Sequence, residues 1–141
     1  MEIEVMRNLG VQSLRREAIH QLQAIIFKEG LDVGAEACPV THHFAPGAYG
    51  REIRMPAGLI VVGKIHKHAH VNVISQGYCV VFTEHEGMQE LRAPCTFVSS
   101  PGTKRAVLVL EDTVWTTVHV TDKTDLAEIE REVIEPEPME G

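Results

Sequence analysis

At 141 residues with 44% hydrophobic content, the chain has the length and apolar content for one domain with one core. Its 13 Lys and Arg against 20 Asp and Glu give a formal charge of -7, and no basic run exceeds Arg15-Arg16, which excludes a phosphate-tracking nucleic-acid protein. No apolar stretch approaches the ~18 residues of a membrane span, and no charged-then-apolar leader opens the sequence, so a cytoplasmic protein without membrane contact is expected.

Residues 1–40 read as an arm followed by an amphipathic helix. Ser13 can cap a helix over 14–28, where Leu14, Ala18, Leu22 and Ile25 recur at helical spacing and Gly30 ends the run. Its apolar stripe needs a partner surface, in its own domain or in a second subunit. From 41 to 121 the period changes to that of short strands separated by turn signals, the pattern of an all-β sandwich or barrel. Strands are predicted at Cys38 to Phe44, Tyr49 to Met55, Leu59 to Ile65, Tyr78 to Thr83, Gln89 to Ala93, Cys95 to Ser99, Arg105 to Leu110 and Val114 to Val120. Turns are expected at Pro56-Ala57-Gly58, Gln76-Gly77, Ser100 to Lys104 and Glu111-Asp112-Thr113. Residues 122–134 form a short helix with a capping box, Asp125 and Glu128, and 135–141 an acidic, Pro-interrupted tail read as disordered. Cys38, Cys79 and Cys95 are odd in number and lack CxxC spacing, which suits reduced, buried thiols.

The stretch His66-Lys67-His68-Ala69-His70-Val71-Asn72 is the most informative. Read as a strand, its period of two puts His66, His68, His70 and Asn72 on one face and Ile65, Ala69, Val71 and Val73 on the other. On the last strand the same rule aligns Trp115, Thr117 and His119.

Pro56-Ala57-Gly58, His66-Lys67-His68 with Asn72 and Gly77, and then Ser99-Ser100-Pro101-Gly102-Thr103-Lys104-Arg105 together resemble the two motifs of the cupin superfamily over about residues 50–120. Phrases such as His42-His43-Phe44-Ala45-Pro46-Gly47 and Trp115-Thr116-Thr117-Val118-His119 further resemble small cupin-like proteins of tailed phages. The resemblance implies a double-stranded β-helix, the cupin jelly-roll barrel, here with a helix at each end. It also implies a site in the barrel mouth, a homo-oligomer, and a divalent metal held by three histidines and a glutamate. Two positions depart from that ligand set. Asn72 stands where the family has its glutamate, and Arg105 where it has its second-motif histidine.

Three readings of the histidine row follow. In the first, two or three of His66, His68, His70 and His119 hold Zn, Fe, Mn or Ni, and the protein is a metal-dependent cupin enzyme of oxygenase, isomerase or hydrolase type. In the second, Arg105, Asn72 and the imidazoles bind a small anionic molecule, with Tyr49, Trp115 or Phe97 stacking on a planar ring. A phage protein of this kind would sequester a host metabolite or nucleotide signal. In the third, the barrel is a phage structural or assembly protein and the histidines are satisfied core residues. The substitution of an acid by an amide and of a ligand by a cation favours the second reading. Elsewhere, His42 and His43 face opposite ways if extended, so at most one reaches the site, and Glu52 with Arg54 reads either as an inward acid and base or as an ion pair.

Overall fold

The computed structural model describes residues 38–136 together with Glu17, His20 and Gln21, which have helical backbone. Apart from those three residues, the predicted helix over 14–28 and the arm before it lie outside the described residues, as do the last five residues of the tail.

Seven strands and one helix follow in order: β1 (Val40–Ala45), β2 (Ala48–Met55), β3 (Ile60–Val62), β4 (His70–Thr83), β5 (Gly87–Arg92), β6 (Cys95–Ser99), β7 (Arg105–Val120) and α1 (Leu126–Val133). All pairings are antiparallel. The two long strands organise the rest. The first half of β4 pairs with β6 and with the second half of β7, which continues to β2 and β1. The second half of β4 pairs with β5 and with the first half of β7, which carries β3. One continuous hydrogen-bonded system thereby folds into two facing sheets, β1-β2-β7-β4-β6 and β3-β7-β4-β5.

The fold line is a pair of bulged corners. The β4–β7 register shifts between Ile74 and Cys79, opposite Val109 to Val114. The sequence pattern predicts turns at Gln76-Gly77 and Glu111-Asp112-Thr113, whereas both strands run through these points and bend there. The residue types are those of turns because the bend needs them. Gly77 has φ 103°, and a Cβ on it would stand 2.4 Å from the Asp112 carbonyl oxygen and 2.6 Å from Thr113 Cα.

Between the sheets lies the core of Cys38, Met55, Ile74, Cys79, Val81, Val107, Val109 and Trp115. Alternation sends Phe82 and Ala106 to the opposite face of the second sheet, where they pack with Val62 and Met88. Helix α1 buries Ile129 and Val133 against Tyr49. Its N-cap residue Asp125 makes no side-chain capping bond, so the predicted capping box does not form. The helix is held by its apolar face and by the chain around it, since Lys67 N donates to Val133 O at 2.7 Å and Glu135 N to Ile65 O at 2.8 Å.

Candidate functional site on the inner face of the first sheet

Period-two alternation and cross-strand register together define rows of inward side chains. The lowest row, Val40, Ile53, Trp115, Ile74 and Cys95, is apolar, and its last four members belong to the core or pack against it. The next row, His42, Arg51, Thr117, Asn72 and Phe97, is mixed, and above it come Phe44, Tyr49, His119, His70 and Ser99. Chemistry is therefore confined to the two rows nearest the barrel end.

The histidine stretch is not one strand. Backbone from Lys67 to Ala69 bends out of the sheet, β4 starts at His70, and His66 forms only an isolated bridge to Ile134. His68 is exposed and takes no part in the ring contacts that join the other three. The excursion lets His66 fold back over the sheet. Its ring lies 4.2 Å from that of His70 and 5.0 Å from that of His119, and His70 and His119 are 5.1 Å apart.

Asn72 is fully buried and committed to neighbours. It accepts from Trp115 Nε1 at 2.9 Å and donates to Ser99 Oγ at 2.7 Å, and Ser99 Oγ also takes a hydrogen bond from Arg105. Here the polar residue expected to bind ligand acts as the link that fixes Trp115 and Arg105. Stacking partners for a ligand ring are likewise engaged within the protein. Tyr49 stacks on Phe44 at 5.1 Å and on His119 at 6.2 Å, its hydroxyl is hydrogen-bonded to His42 Nδ1 at 2.6 Å, and Trp115 meets Phe97 edge-on.

Arg105 comes from the second sheet, on the same face as Val107 and Val109, with its guanidinium 5.4 Å from the Phe97 ring centroid and 5.9 Å from that of Trp115. From the first sheet comes Arg51, half-buried, which the sequence reading did not single out. Only its place in the row beside Thr117 marks it as inward. Among the described residues Arg51 has neither a hydrogen bond nor an ion pair. Glu52, its neighbour, faces outward, held by His43 at 2.8 Å and Arg54 at 3.1 Å, which settles that pair as a surface ion pair.

Burial pushes the His66 ring down to about 3, with His70, His119, Arg105 and Arg51 adding repulsion in that order. His119 is lowered to about 4, again by burial first and then by His70 and Arg51, and His70 is lowered by burial, with Arg105 adding to it. All three imidazoles are neutral at neutral pH. Of the three, His66 alone is acted on by both guanidiniums.

A divalent metal, implied by the resemblance, can be tested against this arrangement. Neutral imidazoles are suitable donors, and His70 Nε2 is buried with no hydrogen-bond partner among the described residues. Placement and charge oppose it. Two rings stack with planes 20° apart, two guanidiniums add repulsion for positive charge at His66, and among the described residues no three His, Cys, Asp or Glu side chains are placed to hold an ion. As arranged, the residues do not fit a metal.

No family model matches the chain, and no curated protein sequence matches it. Solved structures do. An RmlC-like cupin family protein with a double-stranded β-helix fold from Methanocaldococcus jannaschii superposes with TM-score 0.51 at 12% identity, covering 64% of this chain and 85% of that one. The fold is that of a cupin. A cupin superfamily protein from Desulfitobacterium hafniense agrees, with TM-score 0.51 at 10% identity over 60% of this chain and 78% of that one. At these identities the likeness concerns backbone alone, and the site has to be read from its own side chains.

Proposed function

We propose that this cupin barrel binds a small anionic molecule at the end of its first sheet, between Arg51 and Arg105 and against His66, His70 and His119. The observation that carries this reading is Arg51, half-buried on the inward row beside Thr117 and Asn72 and, among the described residues, without a hydrogen bond or ion pair. A half-buried arginine that has no counter-ion among the described residues is a standing attraction for an oxyanion, and a guanidinium offers a planar fork of donors for one. Binding would rest on Arg51 from one sheet, Arg105 from the other and imidazole N–H groups between them. The resemblance to phage cupins suits a protein that captures a host metabolite or nucleotide signal in the cytoplasm. Self-association through the outer face of the first sheet, where Val98 is 66% and Val120 88% exposed, goes with this reading.

Calorimetric titration with inorganic phosphate, a dicarboxylate and a mononucleotide tests it. Saturable binding by at least one of them, weakened more than tenfold in Arg51→Met, is expected; no binding by any of them overturns the proposal. The competing reading, a metal-dependent cupin enzyme, is favoured only by the unpartnered Nε2 of His70. Near-stoichiometric Zn, Fe, Mn or Ni in protein purified without a histidine tag, lost in His66→Ala, would replace the anion reading with that one.

A further inference from the structure

The rings of His70 and His119 are closed off from solvent, with 5% and 6% of each residue exposed, and the ring lying over them is that of His66. His66 belongs to a strap, residues 64–69, whose backbone is in neither β3 before it nor β4 after it. The partners of this strap lie in α1 and the residues just beyond. Lys64 pairs with Glu130, Lys67 Nζ donates to the Arg131 carbonyl at 2.9 Å, and Lys67 N donates to Val133 O at 2.7 Å. Glu135 N donates to Ile65 O at 2.8 Å, and His66 bridges to Ile134. Among the described residues the strap's further backbone bond is to the 100–104 loop, from Gly102 N to His66 O at 2.9 Å.

Helix α1 is itself lightly held. Its 8 residues do not sustain a helix alone in water, so its order comes from docking. The docked surface is Ile129 and Val133 on Tyr49, and Asp125 adds no side-chain cap. Its ion pairs, Lys64–Glu130 and Lys123–Glu132, lie at the surface, where such pairs contribute little. Helix and strap therefore keep or lose their partners together. We propose that α1 and the strap 64–69 form one lid, which opens as a unit to admit a molecule to His70 and His119. Opening carries the His66 ring away from the other two, so the three-ring cluster exists only in the closed state. It also uncovers Ile65, 3% exposed when closed, which makes the closed state the resting one. No member of the core between the sheets belongs to strap or helix, so that core stays packed while the lid moves. The lid is independent of what the site binds, and goes beyond the anion reading.

A short pulse of diethyl pyrocarbonate on the full chain at neutral pH, read residue by residue by mass spectrometry, measures the opening. His70 and His119 should react at least about tenfold more slowly than His85, which is exposed. Val133→Ser loosens α1 from Tyr49 and should speed both by about fivefold or more. In the same variant His85 should keep its rate, and the Cys79 thiol, in the core between the sheets, should stay as slow toward a maleimide as in the parent. Should Val133→Ser fail to fold, Lys67→Ala, which removes the Nζ bond to Arg131 from an exposed residue, should speed the two histidines by about twofold. Reaction of His70 and His119 at the rate of His85 in the parent overturns the lid, since the cluster would then stand open. Unchanged rates in the folded variant overturn the clamp by α1, and the proposal with it. Cys79 reacting faster in step with the two histidines also overturns the proposal, because the opening would then be unfolding of the whole barrel.

Discussion

The indole N–H of Trp115 donates to Asn72 Oδ1 at 2.9 Å, and the Asn72 amide passes the connection to Ser99 at 2.7 Å. Both residues are buried, so neither half of this link can be replaced by water. Asn72→Ala leaves the indole N–H unsatisfied and should cost about 2–3 kcal/mol, measured by urea unfolding. Release of Arg105 from Ser99 is expected with it, so anion affinity should fall in the same variant although Asn72 need not touch the ligand.

Acid should unfold the protein through its histidines. His66 and His119 titrate near 3 and 4 when folded, against 6.5 as their ordinary value, and His70 is also lowered. The unfolded chain therefore takes up protons that the folded one refuses. The stabilising effect of burying these rings neutral is complete above pH 6.5 and is lost as pH falls through the window down to about 3. Between its folded and its ordinary value, His66 contributes a loss of up to about 1.4 kcal/mol per pH unit, and His119 does the same down to about 4. Urea midpoints from pH 7 to 4 should show this slope, and His119→Phe should reduce it by one ring's share; an unchanged slope would refute the cause given.

The corner at Gly77 admits no side chain. With φ 103° and backbone atoms at 2.4 and 2.6 Å from the place of a Cβ, Gly77→Ala combines left-handed strain with a backbone clash. A loss of about 3 kcal/mol or more is expected by thermal or urea denaturation. By contrast Gly58, with φ 93° but open space around it, should lose only the conformational part, about 1 kcal/mol.

Helix α1 should control His66 without touching the core between the sheets. Ile129 and Val133 pack on Tyr49, and the chain beyond them bridges to His66. Ile129→Ala should cost about 2 kcal/mol, and speed hydrogen exchange at the amides of Lys67 and Glu135 more than at those of β4.

The outer sheet face offers a check on self-association. Val71 and Val98 are cross-strand partners and both exposed. Val98→Lys should leave the unfolding midpoint within about 0.5 kcal/mol of the parent, while sedimentation shifts the protein toward monomer.

Much of this was legible in the residues. Alternation alone puts Trp115, Thr117 and His119 on one side of their strand and marks Cys95–Ser99 as a strand with the limits it has in the fold. The apolar spacing of Leu126, Ile129 and Val133 likewise shows a helix with one face to bury. What could not be read is whom each face meets. Lys67 to Ala69 satisfies the strand pattern, yet the backbone leaves the sheet there because Lys67 N bonds Val133 O across the barrel end, a partner distant in sequence. Arg51 sits in an ordinary strand sequence and becomes part of the site only through its register with Thr117. Arg105 reaches Ser99, Phe97 and Trp115 from the second sheet because β4 and β7 bend at Gly77 and Asp112, which in sequence look like ends of strands. A period of two is a property of one strand's own backbone and survives in the sequence. Register and corners arise from hydrogen bonds and close contacts between distant segments, and only the folded chain decides them.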